Sequence, residues 1–135
     1  MLRTIDISTS ALVAQRHRLN TIAGNIAQAS TTRDADGNPN PFRRRLVTFM
    51  AEEPTSESRG SRVEFEVEQD YRHPFRQVYN PAHPDADERG IVKYPNVDTI
   101  REFSNALLAT RAYEANVAVI EMTRQMAEQS LQILT

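Results

Sequence analysis

Residues 97–135 read VDTIREFSNALLATRAYEANVAVIEMTRQMAEQSLQILT, and neither proline nor glycine occurs from Asn96 onward. Ala106, Tyr113, Ile120, Ala127 and Leu134 recur every seven residues, with Phe103, Val117 and Leu131 beside them. That spacing predicts one long helix with a narrow apolar seam. Thr110 and Arg124 interrupt the seam, and Leu107 and Leu108 widen it near its start. Asp98 is placed to cap the helix N-terminus, and Thr99 to Glu102 has the spacing of a capping box. A helix over 99–134 measures ~54 Å at 1.5 Å per residue. A compact chain of this size is only about 36 Å across. Such a helix must pair with another one or insert among copies of a partner.

A second helix is predicted at the other end, from Asp6 to Ala29, where Ile5, Leu12, Leu19 and Ile26 are again spaced by seven and Ile22 and Ala29 follow three residues behind. Ser30 to Thr32 and then Asp34-Ala35-Asp36-Gly37 end it. Ala23, Gly24 and Ala27 permit close approach of a neighbouring helix. Asn20 and Asn25 either face solvent or hydrogen-bond across a subunit interface, where a buried amide fixes register. The first segment carries +2 (Arg3, Arg16 and Arg18 against Asp6) and residues 98–135 carry −2, which favours their packing together but contributes little beyond orientation.

All seven prolines fall between Pro39 and Pro95, so the middle cannot continue either helix. Phe42–Met50 and Ser61–Glu68 read as strands; in the second, Val63, Phe65 and Val67 alternate with Arg62, Glu64, Glu66 and Glu68. Residues 51–60, with Pro54, Ser56, Ser58 and Gly60, link them, and Arg76–Tyr79 is a short third strand. Arg43-Arg44-Arg45 is expected to pair with the three glutamates across neighbouring strands, at ~0.2–1 kcal/mol per pair. The chain therefore divides into a helix over 1–32, a β and loop segment over 33–95, and a helix over 96–135. The fold class is mainly α with a small β part: the terminal helices form one helical domain, an antiparallel coiled-coil-like pair, joined by the Pro-rich middle with its short hairpin or sheet.

Composition narrows the chemistry. The 135 residues include no cysteine and no tryptophan, which removes disulfides, thiolate nucleophiles and thiolate metal sites. The net charge of −2 gives no reason to expect nucleic acid as a partner. No stretch is long and apolar enough to insert in a membrane, and Asp6 interrupts any secretory leader. His17, His73 and His83 lack metal-ligand spacing. Asp34-Ala35-Asp36-Gly37 begins like a calcium loop, but Arg45 stands where the closing glutamate belongs. His83-Pro84-Asp85-Ala86-Asp87-Glu88 reads as a polar turn. No phosphate loop and no serine nucleophile is found, so no enzyme activity, cofactor, metal or small-molecule substrate is expected. Leu, Ile, Val and Phe make up about 22% of the chain, close to the limit for independent folding.

Three stretches carry a resemblance. They are Ser10-Ala11-Leu12 with Leu19-Asn20-Thr21-Ile22-Ala23-Gly24-Asn25-Ile26-Ala27 and Ala29-Ser30-Thr31-Thr32-Arg33; Tyr79-Asn80-Pro81-x-His83-Pro84-Asp85-Ala86-Asp87-x-x-Gly90-x-Val92-x-Tyr94-Pro95-Asn96-Val97-Asp98; and Arg111-Ala112-Tyr113-Glu114-Ala115-Asn116-Val117. Together they resemble the bacterial flagellar axial proteins, the rod and hook family, and the middle stretch is similar to that of its basal-body rod members. Gln28 stands where the family usually has Asn, and Phe103 to Ala106 replaces a more aliphatic run. The resemblance implies a structural subunit of the proximal rod, the tubular drive shaft crossing the periplasm. It would be exported without a cleaved signal by the flagellar type III apparatus, with other copies of itself and other rod proteins as partners. The subunit-packing residues it implies are Ile5, Leu12, Leu19, Asn20, Ile22, Asn25 and Ile26 in the first helix and Phe103, Ala106, Tyr113, Asn116, Val117, Ile120 and Leu131 in the second. Pro81, His83, Pro84, Gly90, Tyr94, Pro95 and Asn96 mark the middle segment. A soluble helical adaptor with no flagellar role is the alternative. Leanness in apolar residues further implies that the ends of the free chain become ordered on assembly.

Overall fold

The computed structural model describes residues 2–52 and 60–133. Pro54, Ser56 and Ser58 of the linker and Leu134 of the seam lie outside the described residues. The order is α1 (Leu2–Ala27), β1 (Arg45–Ala51), β2 (Val63–Gln69), β3 (Arg76–Tyr79), β4 (Ile91–Tyr94) and α2 (Thr99–Ile133). The mainly α composition with a small β part is as expected. The short strand β4 was not foreseen, because Ile91-Val92-Lys93-Tyr94 is too brief to show a period of its own.

The strands form two two-stranded sheets, β1 with β2 and β3 with β4. Flanking the first ladder, Asp70 N–H donates to the Arg44 carbonyl at 2.8 Å and Glu52 N–H to the Arg62 carbonyl at 2.9 Å, so the strands run antiparallel. This register sets Arg45 opposite Gln69. Because side chains alternate between faces, Arg43 and Arg45 share the face of Gln69, whereas Glu64, Glu66 and Glu68 stand on the other. The expected pairing of the basic triplet with these glutamates is therefore not made: among the described residues no ion pair engages Glu64, Glu66 or Glu68, and Arg44 turns instead to Glu102 and Asp70.

Two compact units divide the chain. One comprises Met1–Leu19, Val47–Glu66 and Ala106–Thr135; the other comprises Asn20–Leu46 and Val67–Asn105. In the first, Ala14 and Ala109 are the buried apolar side chains and Ser8, Ser10 and Thr123 the buried polar ones. The Ser10 hydroxyl donates to the Ile7 carbonyl at 2.7 Å and accepts Val63 N–H at 2.9 Å, which ties α1 to the start of β2. His17 stacks on Phe65 with ring centroids 4.3 Å apart, a packing role.

In the second unit, Ile22 and Val92 are the buried apolar side chains, joined by Asn25, Asp70, Glu102 and Pro95. The hairpin of β3 and β4 aligns Arg76 with Tyr94 and Tyr79 with Ile91. Its long connection closes with Asn80 N–H on the Gly90 carbonyl at 2.8 Å. Gly90 has φ of 75°, and a Cβ there would lie 3.0 Å from the Tyr79 ring and 3.1 Å from Pro81 Cβ. Both the conformation and the space require glycine. Gly90→Ala is expected to cost about 2 kcal/mol in denaturant unfolding, from positive φ plus crowding; a loss below about 0.5 kcal/mol would show that the turn relaxes.

Candidate functional site

Asn25, Asp70 and Glu102 are among the largest fully buried side chains of the second unit, each at most 2% exposed. Polar groups buried this deeply require partners. Near the end of α1, the Asn25 amide nitrogen donates to the Arg45 carbonyl at 2.8 Å and to Glu102 Oε2 at 3.1 Å, while its Oδ1 accepts Arg45 N–H at 2.9 Å. Glu102 Oε1 accepts from Arg44 Nε at 2.8 Å and from Nη2 of the same guanidinium. Arg44 also reaches Asp70 at 3.6 Å. One strand-entry arginine thus joins two buried carboxylates. Asn25 uses its hydrogen-bonding groups within its own chain, whereas Asn20 is exposed.

Asp98 caps α2 as expected, its Oδ1 accepting Ile100 N–H at 3.0 Å and Arg101 N–H at 3.3 Å. The expected capping box is not formed. Glu102 donates its backbone N–H to the Asp98 carbonyl, and its carboxylate turns inward to Arg44 and Asn25. A charged partner in the interior outweighs a backbone donor at the helix end.

The middle-segment residues act as connections inside this unit. Asn96 accepts Arg44 N–H at 2.9 Å and donates to the carbonyls of Asp70 and His73, both at 3.1 Å. Thr32 and Arg33, from the N-terminal stretch, both bind Asp85: Thr32 Oγ1 at 2.7 Å, Arg33 Nε at 2.7 Å and its Nη2 at 2.6 Å. His83 Nδ1 accepts Asp85 N–H at 3.1 Å, which places the proton of a neutral ring on Nε2, and the ring meets Tyr94 edge-on. Asp87 Oδ1 accepts Arg89 N–H at 2.9 Å and Ile91 N–H at 2.8 Å. Pro95 and Gly90 are buried, and Pro81 and Pro84 are exposed on the connection. Asp34 Oδ1 likewise accepts Asp36 N–H and Asn38 N–H, a turn rather than a cation loop.

These contacts set the acid response. Burial pushes the Asp70 pKa up, but hydrogen bonds from His73 and from the N–H groups of Arg72 and His73 prevail and hold it below the usual aspartate value. Hydrogen bonds from Arg33 and Thr32 lower Asp85, and the Ile91 N–H lowers Asp87. A carboxyl whose folded pKa is depressed contributes stability above its unfolded pKa and loses it as pH falls through the folded one. Melting temperature is therefore expected to be level above about pH 5 and to drop steadily below about pH 4. An Asp85→Asn variant should show a shallower drop; an unchanged slope would contradict the assignment.

α2 presents two different faces. Its deeply buried line is Glu102, Ala109 and Thr123, with half-buried Asn116 completing a seven-residue repeat of small or polar side chains. Many of its large apolar side chains are exposed instead. Ile100, Phe103, Leu107 and Leu108 form one exposed group and Val119, Met122 and Met126 another, with the exposed Arg111–Glu114 pair between them in sequence. Phe103, Leu107 and Met122 are 63%, 61% and 62% exposed. Of the packing residues read from sequence, Phe103, Tyr113 and Leu131 are exposed, and Ala106, Asn116, Val117 and Ile120 are half-buried. In α1, Ile5, Leu12, Leu19 and Ile26 are half-buried and Ile22 is buried.

Comparison with known proteins places this arrangement. Residues 88–133 match the model of the flagellar basal body rod FlgEFG protein C-terminal family. The chain is 38% identical over 132 residues to the flagellar basal-body rod protein FlgC of Escherichia coli O6:H1, covering 97% of this chain and 96% of that one. It is 35% identical to FlgC of Aquifex aeolicus over 133 residues, covering 98% and 96%, and 33% identical to FlgC of Bacillus subtilis over 145 residues, covering 96% and 95%. A polar-cored subunit with an uncovered apolar helix face, matched along its length by these relatives, belongs to the FlgC family of flagellar basal-body rod proteins, structural subunits of the basal body and not enzymes.

Proposed function

We propose that the chain assembles through its terminal helices, residues 1–32 and 96–135, packed as an antiparallel coiled-coil-like pair, and that neighbouring subunits cover the outward face of α2. The observation carrying this reading is the exposure of Phe103, Leu107, Met122 and Met126 on one face of a 35-residue helix. Two exposed apolar groups on one helix, with the Arg111–Glu114 pair between them, mark a protein contact. Ile5, Leu12, Leu19 and Ile26 of α1, with Tyr113, Val117, Ile120 and Leu131 of α2, complete the packing set. Asn25 belongs to the subunit's own fold. The segment over 33–95 forms the outer part.

The assembled object is the tubular proximal rod, which transmits torque and encloses the export channel. Its subunits pass out through the flagellar type III apparatus without a cleaved signal and join other rod proteins across the periplasm. Fractionation tests the reading: the chain should copurify with intact hook-basal bodies. Recovery only in the soluble cytoplasmic fraction would instead favour an adaptor.

A further inference from the structure

The sheet alternation separates the basic triplet from the glutamates, and among the described residues Arg43, Arg45, Glu64, Glu66 and Glu68 make no ion pair, Arg43 Nη1 donating only to the Asp70 carbonyl at 3.0 Å. On the Gln69 face of β1 and β2 is a groove of about 650 Å³, lined by Phe42, Arg43, Arg45, Gln69, Tyr71 and Phe75 among others. The guanidinium of Arg43 lies 4.7 Å from the Tyr71 ring centroid and 4.2 Å from that of Phe75, and that of Arg45 lies 5.5 Å from the Phe42 centroid. Arg33 adds a third cation at the rim, already bound to Asp85. The acid in the lining is Asp34, whose Oδ1 is occupied by the N–H groups of Asp36 and Asn38. Tyr71 stands 74% exposed at the edge. Arginine held over aromatic rings beside an exposed tyrosine is the composition of a protein-binding hot spot.

On the opposite sheet face, Glu64, Glu66 and Glu68 are exposed and make no ion pair among the described residues. They recur every second residue of an extended strand, about 6.7 Å apart. Arg43 and Arg45 have the same two-residue spacing, with Arg44 turned inward between them.

We infer that the groove of one subunit receives the Glu64-Glu66-Glu68 face of a second copy. The contact rests on the rod-subunit reading above and deepens it. It joins two different surfaces, so it is heterologous: each copy keeps a free groove and a free acidic face, and the contact propagates into an open helical array rather than closing as a dimer. Charge complementarity fixes which copy and which register, while the aromatic floor supplies buried area.

The sequence provides a clean test, because Lys93 is the chain's single lysine. Full-length Arg45→Lys chains, half of them labelled with nitrogen-15, are mixed and treated with a water-soluble carbodiimide. The expected product joins the peptide containing position 45 to the one containing Glu64 to Glu68, with one light and one heavy partner, and its yield falls at least about tenfold at 1 M salt, where screening acts within ~3 Å. Cross-links confined to like-labelled peptides would show the contact to be internal. Cross-links from position 45 only to other carboxylates, or none from a folded chain, would also overturn the proposal. As a second arm, Arg45→Glu and Glu66→Arg should each weaken association of the full chain by about tenfold or more, with association recovered when both reside in one chain; failure to recover counts against it. Copurification with basal bodies in the face of a negative cross-link would leave the rod assignment standing and remove only this contact.

Discussion

Leu107→Asp is expected to abolish swimming while leaving the isolated subunit's unfolding free energy within about 0.5 kcal/mol of the wild type. The two halves of that expectation have separate causes. Within the chain, the Leu107 side chain is 61% exposed, so replacing it removes little buried area and costs only the difference in helix propensity between leucine and aspartate. Under the proposed packing the same position becomes buried against a neighbour, where an unpaired carboxylate costs several kcal/mol. The subunit should be expressed and folded, and intact rods should be missing. Normal swimming would show that this face is not covered. Leu107→Met, which conserves volume and apolarity, should swim normally.

The second large effect is on stability. Glu102→Ala should destabilise the chain by about 3 kcal/mol, because it leaves the Arg44 guanidinium and the Asn25 amide buried with a partner missing. For a chain of this size the melting temperature falls by roughly 10 °C. Asp70, 3.6 Å from Arg44, is too distant to replace the lost carboxylate without rearrangement. Glu102→Gln keeps the shape and one acceptor but presents amide hydrogens toward a cation, and should lie between the two. A loss below about 1 kcal/mol for Glu102→Ala would mean that water or Asp70 takes over, and that the polar core is less tightly organised than its distances indicate.

Much of this fold is legible in the residues because it depends on local rules. Asp98 is a helix cap by side-chain chemistry, and the Pro-free ends and Pro-filled middle separate helix from strand and loop. The alternation of Val63, Phe65 and Val67 predicts β2. What escaped depends on distance in sequence. Glu102 looks like the end of a capping box until Arg44, 58 residues away, is brought beside it. The basic triplet looks like a partner for the β2 glutamates until the register places them on opposite faces. A seven-residue apolar repeat shows that α2 has a packing face but not which line is buried inside the chain. That inner line is Glu102, Ala109 and Thr123: Ala109 and Thr123 are small enough for close backbone approach, and Glu102 is held inward by Arg44 and Asn25. The repeat of small or polar side chains at 102, 109, 116 and 123 acquires its meaning only through burial. The middle-segment residues were recognised by resemblance; the structure gives Asn96, Asp85 and Gly90 physical roles as connectors and a turn.

The central claim is that the apolar face of α2 is open in the single subunit and covered in the rod. The chain has no cysteine, so Leu107→Cys and Met122→Cys each introduce one thiol at that face. Maleimide labelling of each variant, as isolated chain and in purified hook-basal bodies, measures the claim directly. Labelling is predicted to be fast and complete in the isolated chain and at least about tenfold slower in the assembled rod; equal rates in both states would contradict it.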